Sequence, residues 1–206
     1  MHLTVFGATG SVGSLVVDRA LAAGHTVTAH TRDAAKVRQE HEHLRVVEGD
    51  VTDPADCRTA LVGADAVIIT LGNGRHGTVR EAGTRAVVEA MHDVGVRRII
   101  CQSTLGVGAS RDNLNLLWRY AMFGALLRQA YADHVRQEEV VTSSGLDWTI
   151  VRPSAFTDQA VEGVRHGFGT DARGLALKIS RGQVADFLVA QLDEDGLLHR
   201  HVALSA

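Results

Sequence analysis

Residues 2–13 read His2-Leu3-Thr4-Val5-Phe6-Gly7-Ala8-Thr9-Gly10-Ser11-Val12-Gly13. An apolar, strand-like run leads straight into three glycines, and these open a segment with Val12, Leu15, Val16, Ala20 and Ala23 at helical spacing, stopped by Gly24. A strand, a glycine turn and an amphipathic helix in that order are the context in which the dinucleotide-binding fingerprint acquires physical meaning. Gly7 permits the sharp turn, Gly10 lets a pyrophosphate approach the backbone, and Gly13 allows close packing of helix on strand. The helix N-terminus offers unpaired N–H groups and a positive dipole end, and the hydroxyls of Thr9 and Ser11 add donors.

Outward from this turn, strand-like runs alternate with helical patterns, which predicts a parallel sheet covered by helices. Strands are expected at His2–Phe6, Thr26–His30, Leu44–Val47, Ala66–Thr70, Arg98–Gln102 and Trp148–Val151, with a closing strand at His201–Leu204. Helices are expected at Val12–Ala23, Ala34–Gln39, Pro54–Leu61, Thr78–Val94 and Leu114–Ser143, and Ser180 opens a last one. Beyond Val151 the alternation decays into a glycine-containing stretch, read as a small C-terminal lobe (residues 152–206) on the same sheet. The fold class is therefore α/β: one doubly wound parallel sheet of the Rossmann type over residues 1–206, with its crevice where the strand order reverses.

The end of the second strand bears on the coenzyme. A site for NAD usually places an acidic residue there to accept from the ribose hydroxyls. Here the tip reads Thr31-Arg32-Asp33-Ala34-Ala35-Lys36, so Arg32 and Lys36 are positioned to face a 2′-phosphate, while Asp33 leaves NAD open. The expected coenzyme is NADP. After the third strand, Asp50 and Val51 follow Gly49; the Asp50 side chain either accepts from the adenine amino group or forms a turn. After the fourth, Leu71-Gly72-Asn73-Gly74 suits close backbone approach to a ribose, and equally a plain turn.

The chain has 206 residues and a formal net charge of -3, which gives no support to nucleic-acid binding. Two cysteines make no disulfide framework, and Cys101 reads as an inert core thiol. No secretory leader or membrane-spanning run is evident, so a cytoplasmic location without membrane association is expected. The eleven histidines form no ligand spacing, so no metal site is expected; His76 and His134 could reach the crevice but read as surface or structural residues. Glu138-Glu139 reads as a solvated face. The stretch Leu114 to Leu127, with Leu116, Trp118, Tyr120 and Phe123, reads as core packing or, more sharply, as a wall or lid for a flat apolar substrate or a dimer contact.

The GATGxxG turn, the Arg32-Asp33 pair with Lys36, Gly49-Asp50, Ser103-Thr104 after the fifth strand, and Val151-Arg152-Pro153 at the end of the sixth resemble the atypical short-chain dehydrogenases. That family of NAD(P)H-binding proteins includes NmrA-like proteins, and within it the likeness is to the branch of NADPH-dependent flavin and biliverdin reductases. The resemblance implies that Gly7, Thr9, Gly10, Ser11, Val12 and Gly13 hold the pyrophosphate and Arg32 and Lys36 the 2′-phosphate. It places Asp50 and Val51 by the adenine, Leu71 and Gly72 along the ribose, Ser103 and Thr104 at the nicotinamide as catalytic residues, and Pro153 and Ser154 over the carboxamide edge. Thr104 stands where that branch has Ser, and Arg152 where it has a second proline.

Ordinary short-chain dehydrogenases protonate a carbonyl through a Tyr-x-x-x-Lys pair. Tyr120 and Tyr131 are the only tyrosines, and Gly124 and Val135 stand four residues on. Ketone reduction is thus disfavoured. A conjugated acceptor that delocalises the incoming charge suits these residues better, so the expected function is NADPH-dependent reduction of a flavin, quinone or biliverdin-like molecule. The alternatives are a non-catalytic NADP(H) sensor of NmrA type and a nucleotide-sugar epimerase or dehydratase. The expected partner is a small conjugated substrate, with the chain a monomer or homodimer.

Overall fold

The computed structural model describes residues 1–72, 78–115, 117–170, 172 and 174–206, the side chains of 119–121 and 125 excepted. Asn73, Gly74, His76 and Leu116, which the sequence singles out, lie outside these residues, as do the side chains of Arg119 and Tyr120.

Ten strands are described: β1 His2–Phe6, β2 Thr26–Thr31, β3 Leu44–Glu48, β4 Ala66–Ile69, β5 Arg98–Gln102, β6 Asp147–Pro153, β7 Ala155–Thr157, β8 Arg165–His166, β9 Lys178–Ser180 and β10 Arg200–Ser205. Five α-helices accompany them: α1 Gly13–Ala22, α2 Pro54–Leu61, α3 Val79–Val94, α4 Arg128–Thr142 and α5 Arg181–Ala190. The main sheet runs β3-β2-β1-β4-β5-β6-β10-β8, parallel throughout except for the antiparallel edge pair β10–β8, while β7 and β9 pair by themselves. This is the doubly wound Rossmann arrangement expected from the alternating pattern. β1 pairs with both β2 and β4, so the chain switches sides of the sheet there and leaves the crevice at the carboxyl ends of β1 and β4. No helix among the described residues is long and apolar enough to cross a membrane.

The central strands are buried on both faces, which is why they read as continuous apolar runs. Their alternation still sorts the core into two layers. Ile68 of β4 and Ile100 of β5 pack with Val16, Ala20 and Leu188 under α1 and α5. Their neighbours Ile69, Ile99 and Cys101 pack with Val87, Met91 and Val141 under α3 and α4. Thr4 is the polar residue inside β1, and its hydroxyl is satisfied by the Ala60 carbonyl at 3.0 Å. Burial pushes the Cys57 thiol up to about 12, and that of Cys101 well above its ordinary range, so both remain protonated core groups.

Three expectations are corrected. The helix expected over Ala34–Gln39 is a single 3₁₀ turn, Ala34–Lys36. Asp33 caps it through the Ala35 amide, and Val37 then turns extended to carry the chain back towards β3. The long helix expected over Leu114–Ser143 is broken. Leu114 is extended, Leu117–Leu126 winds as a wide π-type helix, and α4 begins at Arg128. The Leu127 amide bonds to the Met122 carbonyl at 2.7 Å, five residues back, so an extra residue enters the turn and rotates the apolar stripe across the joint. Glu138 is buried, 5% exposed, and not on a solvated face. It meets Arg152 of β6 through two hydrogen bonds of 2.9 and 2.5 Å.

The short strands β7, β8 and β9 were not legible. With two or three residues each, they show too little periodicity.

Candidate active site

The three glycines of the opening turn act differently, as their positions suggest. Gly7 has φ +87°, a left-handed conformation that side chains resist. A Cβ on Gly13 would lie 2.1 Å from the Gly7 carbonyl oxygen and 2.6 Å from the Thr70 hydroxyl, so α1 seats against β1 and β4 only without one. A Cβ on Gly10 would meet the Gly7 oxygen at 3.2 Å and otherwise occupy the crevice. Thr70 ties the turn to β4: its amide donates to the Phe6 carbonyl at 2.9 Å and its hydroxyl reaches the Gly7 carbonyl at 3.3 Å. α1 starts at Val12 without a side-chain cap, whereas Asp53 caps α2 and Ser180 caps α5. Of the first amides of α1, that of Ser14 donates to the Gly10 carbonyl at 3.0 Å.

Two of the cavities that open here share Gly10, Thr70, Leu71 and Gly72 as a common wall. The smaller, about 190 Å³, lies between the glycine turn and the end of β2. It is lined by Gly7, Thr9, His30, Arg32, Lys36 and Val51, among others. Asp33 borders it too, but its carboxylate is engaged: Oδ1 accepts from the Ala35 amide at 3.1 Å and Oδ2 stands 3.4 Å from the Lys36 ammonium. His30 lies on the floor, its ring 4.9 Å from that of Phe6 and its Nε2 buried without a partner. Burial holds its pKa below the ordinary histidine value, so it stays neutral near pH 7. Asp50 does not line either cavity. Its Oδ1 accepts from the Thr52 amide at 2.9 Å and the Thr52 hydroxyl at 2.8 Å, the bonds of a turn-forming residue. These bonds hold its carboxyl below the usual range.

The larger cleft, about 560 Å³, extends past the ends of β4, β5 and β6. Ser11, Val12, Ser103, Thr104, Pro153 and Ser154, all singled out from the sequence, line it. The Ser103 and Ser154 hydroxyls are buried without partners, as is the side-chain amide oxygen (Oε1) of Gln102. Thr104 is half-buried, and its hydroxyl makes only a long bond, 3.4 Å, to the Leu105 carbonyl. Leu114, Trp118, Phe123 and Leu127 form one wall, and Phe156 and Leu177 another. Trp118 and Phe123 stand 5.9 Å apart by ring centroids, and Phe123 and Tyr131 5.3 Å, a tilted aromatic series.

Three further groups that the sequence does not single out as site residues stand in this cleft. His134, expected to be a surface or structural residue, lines it and is buried. Burial and the neighbouring Arg80 charge push its pKa down to about 3, so it is a neutral imidazole. Arg80 lines the floor, and Arg181 stands at the start of α5 over the Phe156 ring at 5.5 Å, paired with Asp158. Lone arginines in amphipathic helices carry no local signal of such placement.

The residues present fit a dinucleotide. A phosphate-sized approach is open over Gly10 beside an uncapped helix start, and buried donors and acceptors stand unpartnered along both cavities. Bound there, a reduced nicotinamide would supply a hydride.

Comparison with known proteins agrees with this geometry. An uncharacterised chloroplast protein of Arabidopsis thaliana is 28% identical over 170 residues, 77% of this chain and 60% of that one. An uncharacterised sugar epimerase of Bacillus subtilis is 28% identical over 212 residues, 97% of this chain and 92% of its own. An NAD(P)H azoreductase of Xenophilus azovorans is 27% identical over 155 residues, 75% of this chain; the chain spans about half, 48%, of that enzyme. Among solved structures, an anaerobilin reductase from Escherichia coli superposes with a TM-score of 0.81 at 25% identity, covering 99% of this chain and 96% of that one. The model of the NAD(P)H-binding family matches residues 7–195. With the fingerprint turn, the switch-point crevice and this match over nearly its whole length, the chain belongs to the NAD(P)H-binding family.

Proposed function

We propose that the protein is an NADPH-dependent reductase that passes a hydride to a flat conjugated acceptor such as a flavin, a quinone or a biliverdin-like tetrapyrrole. The observation that carries this reading is the aromatic-walled cleft sharing Gly10, Leu71 and Gly72 with the dinucleotide crevice, with Ser103 and Thr104 in the lining of that cleft. Rings held against Trp118 and Phe123 would lie alongside the nicotinamide end, and positioning of two π-systems is then the main catalytic device. Ser103 and Ser154, with unpartnered hydroxyls, would hold the carboxamide. NADP is favoured over NAD because Arg32 and Lys36 line the small cavity while the Asp33 carboxylate is engaged with Ala35 and Lys36. The anaerobilin reductase and azoreductase relatives, whose names denote reduction of conjugated molecules, support the same class.

The test is NADPH oxidation by the purified protein with FMN, riboflavin, a naphthoquinone and biliverdin in parallel. Turnover with at least one is expected. Tight NADP⁺ binding with no turnover on any acceptor would refute the reductase reading and favour a coenzyme-reporting sensor.

A further inference from the structure

The floor of the large cleft holds a cation whose donors are incompletely used. Arg80 sits in the first turn of α3 with its side chain 9% exposed. Its nearest carboxylate, Asp133 of α4, is occupied chiefly as a helix cap: it accepts from the Arg80 and Glu81 amides, each at 3.1 Å. The guanidinium approaches it only at 3.5 Å through Nη1, the outer limit of a hydrogen bond. The Arg80 Nε is buried with no partner, and Nη2 lies beside Gly72, where the two cavities meet. Among the described residues no aspartate or glutamate lines this cleft. A buried charge left this short of partners is costly, and persists where something else completes its coordination.

We infer that Arg80 is a catalytic residue that receives the negative charge developing on the acceptor during reduction. This rests on the reductase reading above. When the C–H bond of the dihydronicotinamide breaks, its electron pair leaves with the hydrogen to form a new bond on the acceptor. A π-electron pair of the acceptor is thereby displaced to a terminal oxygen or nitrogen. The coenzyme is oxidised, the acceptor is reduced and left as an anion, and one proton from solvent completes the product. A guanidinium fork in a site shielded from water stabilises that anion strongly, because the local dielectric is low and the group is already in place. It takes the electrostatic part of the task that a Tyr–Lys pair performs in ordinary short-chain dehydrogenases. His134, neutral at pH 7 and with an unpartnered Nδ1, adds a dipole but no charge beside it.

The experiment uses Arg80→Met, which keeps the length of the stem, and Arg80→Lys, which keeps the charge without the fork. Calorimetric titration measures NADP⁺ affinity. Binding of a hydroxynaphthoquinone, an anion at neutral pH, is then compared with that of the uncharged parent naphthoquinone on the NADP⁺-loaded protein. Arg80→Met is expected to lose about tenfold or more in affinity for the anion with the neutral parent unchanged. Its kcat should fall about a hundredfold, with NADP⁺ affinity retained and partial recovery in Arg80→Lys. Unchanged preference for the anion and unchanged kcat would overturn the inference. So would a fall in NADP⁺ affinity matching the fall in turnover, which would make Arg80 a coenzyme ligand. If Arg80→Met fails to fold, Arg80→Lys carries the same comparison, and full activity together with full anion preference in it would reject a need for the fork. Absence of turnover in the wild-type protein would sink the reductase reading, while the anion-binding comparison would still report on Arg80.

Discussion

Adding one methyl group to either of two glycines in the opening turn should separate the fold from the site. On Gly13, the new carbon would stand 2.1 Å from the Gly7 oxygen and 2.6 Å from the Thr70 hydroxyl oxygen. Neither atom can yield cheaply: the first is backbone, and Thr70 is anchored to both Phe6 and Gly7. Helix α1 would have to withdraw by about 1 Å, and because it packs through Val16, Val17 and Ala20 the layer beneath α1 and α5 would loosen with it. Overpacking of this kind costs about 3 kcal/mol, which in a chain of this size lowers Tm by roughly 6–12 °C. On Gly10 the nearest contacts would be 3.2 Å and 3.9 Å, and its φ is not in the left-handed region. Gly10→Ala should therefore fold with a loss of under about 1 kcal/mol. Its methyl would nonetheless stand where a phosphate must come closest, and losing the charge-assisted bonds there costs about 2 kcal/mol, roughly thirtyfold in affinity. Thermal melts followed by circular dichroism, and calorimetric titration with NADP⁺ below Tm, read the two effects independently. The expected result is a large Tm loss in Gly13→Ala, and in Gly10→Ala a near-normal Tm with weak binding. Parallel losses in both variants, or normal coenzyme affinity in Gly10→Ala, would refute the assignment of separate roles.

Three further outcomes are expected. Arg32→Ala should weaken NADPH binding by about tenfold or more and NADH binding little, since a charge-assisted bond to phosphate contributes roughly 1.5–3 kcal/mol; equal losses for the two coenzymes would remove the argument for NADP. Glu138→Ala strands the Arg152 guanidinium inside the protein and should cost about 3–5 kcal/mol in urea unfolding, whereas a cost under about 1 kcal/mol would show the buried pair to be dispensable. The His134 pKa is depressed in the folded protein to about 3 from 6.5, so its neutral form contributes stability that is complete above pH 6.5 and lost progressively as pH falls towards 3. His134→Gln should flatten the acid side of the stability profile between pH 6.5 and 4; identical slopes in the two proteins would contradict the burial of a neutral imidazole.

Much of this molecule was written locally. Gly7, Gly10 and Gly13 fall at positions where conformational freedom, close approach and tight packing are each required, and the alternation of strands and helices around them prescribes a doubly wound sheet. These are properties of near neighbours in the chain, governed by periods of two and 3.6 residues, and a sequence displays them directly. The tip of β2 was legible for the same reason, since Arg32, Asp33 and Lys36 are adjacent. Where a side chain had a choice of partner, sequence left the choice open: Asp50 turned back to Thr52, two residues away. The π-type helix before α4 was hidden because one extra residue in a turn shifts an apolar stripe without altering composition.

What only tertiary structure decided is which polar groups meet. Asp133 reaches Arg80 across 53 positions and Thr70 closes the glycine turn across 63, while Glu138, beside an exposed Glu139, turns inwards because Arg152 of β6 awaits it. A carboxylate in an amphipathic helix looks the same in sequence whether it faces water or a buried guanidinium. Its partner lies on another element, and only the packing of α3, α4 and β6 around one cleft brings the charges together.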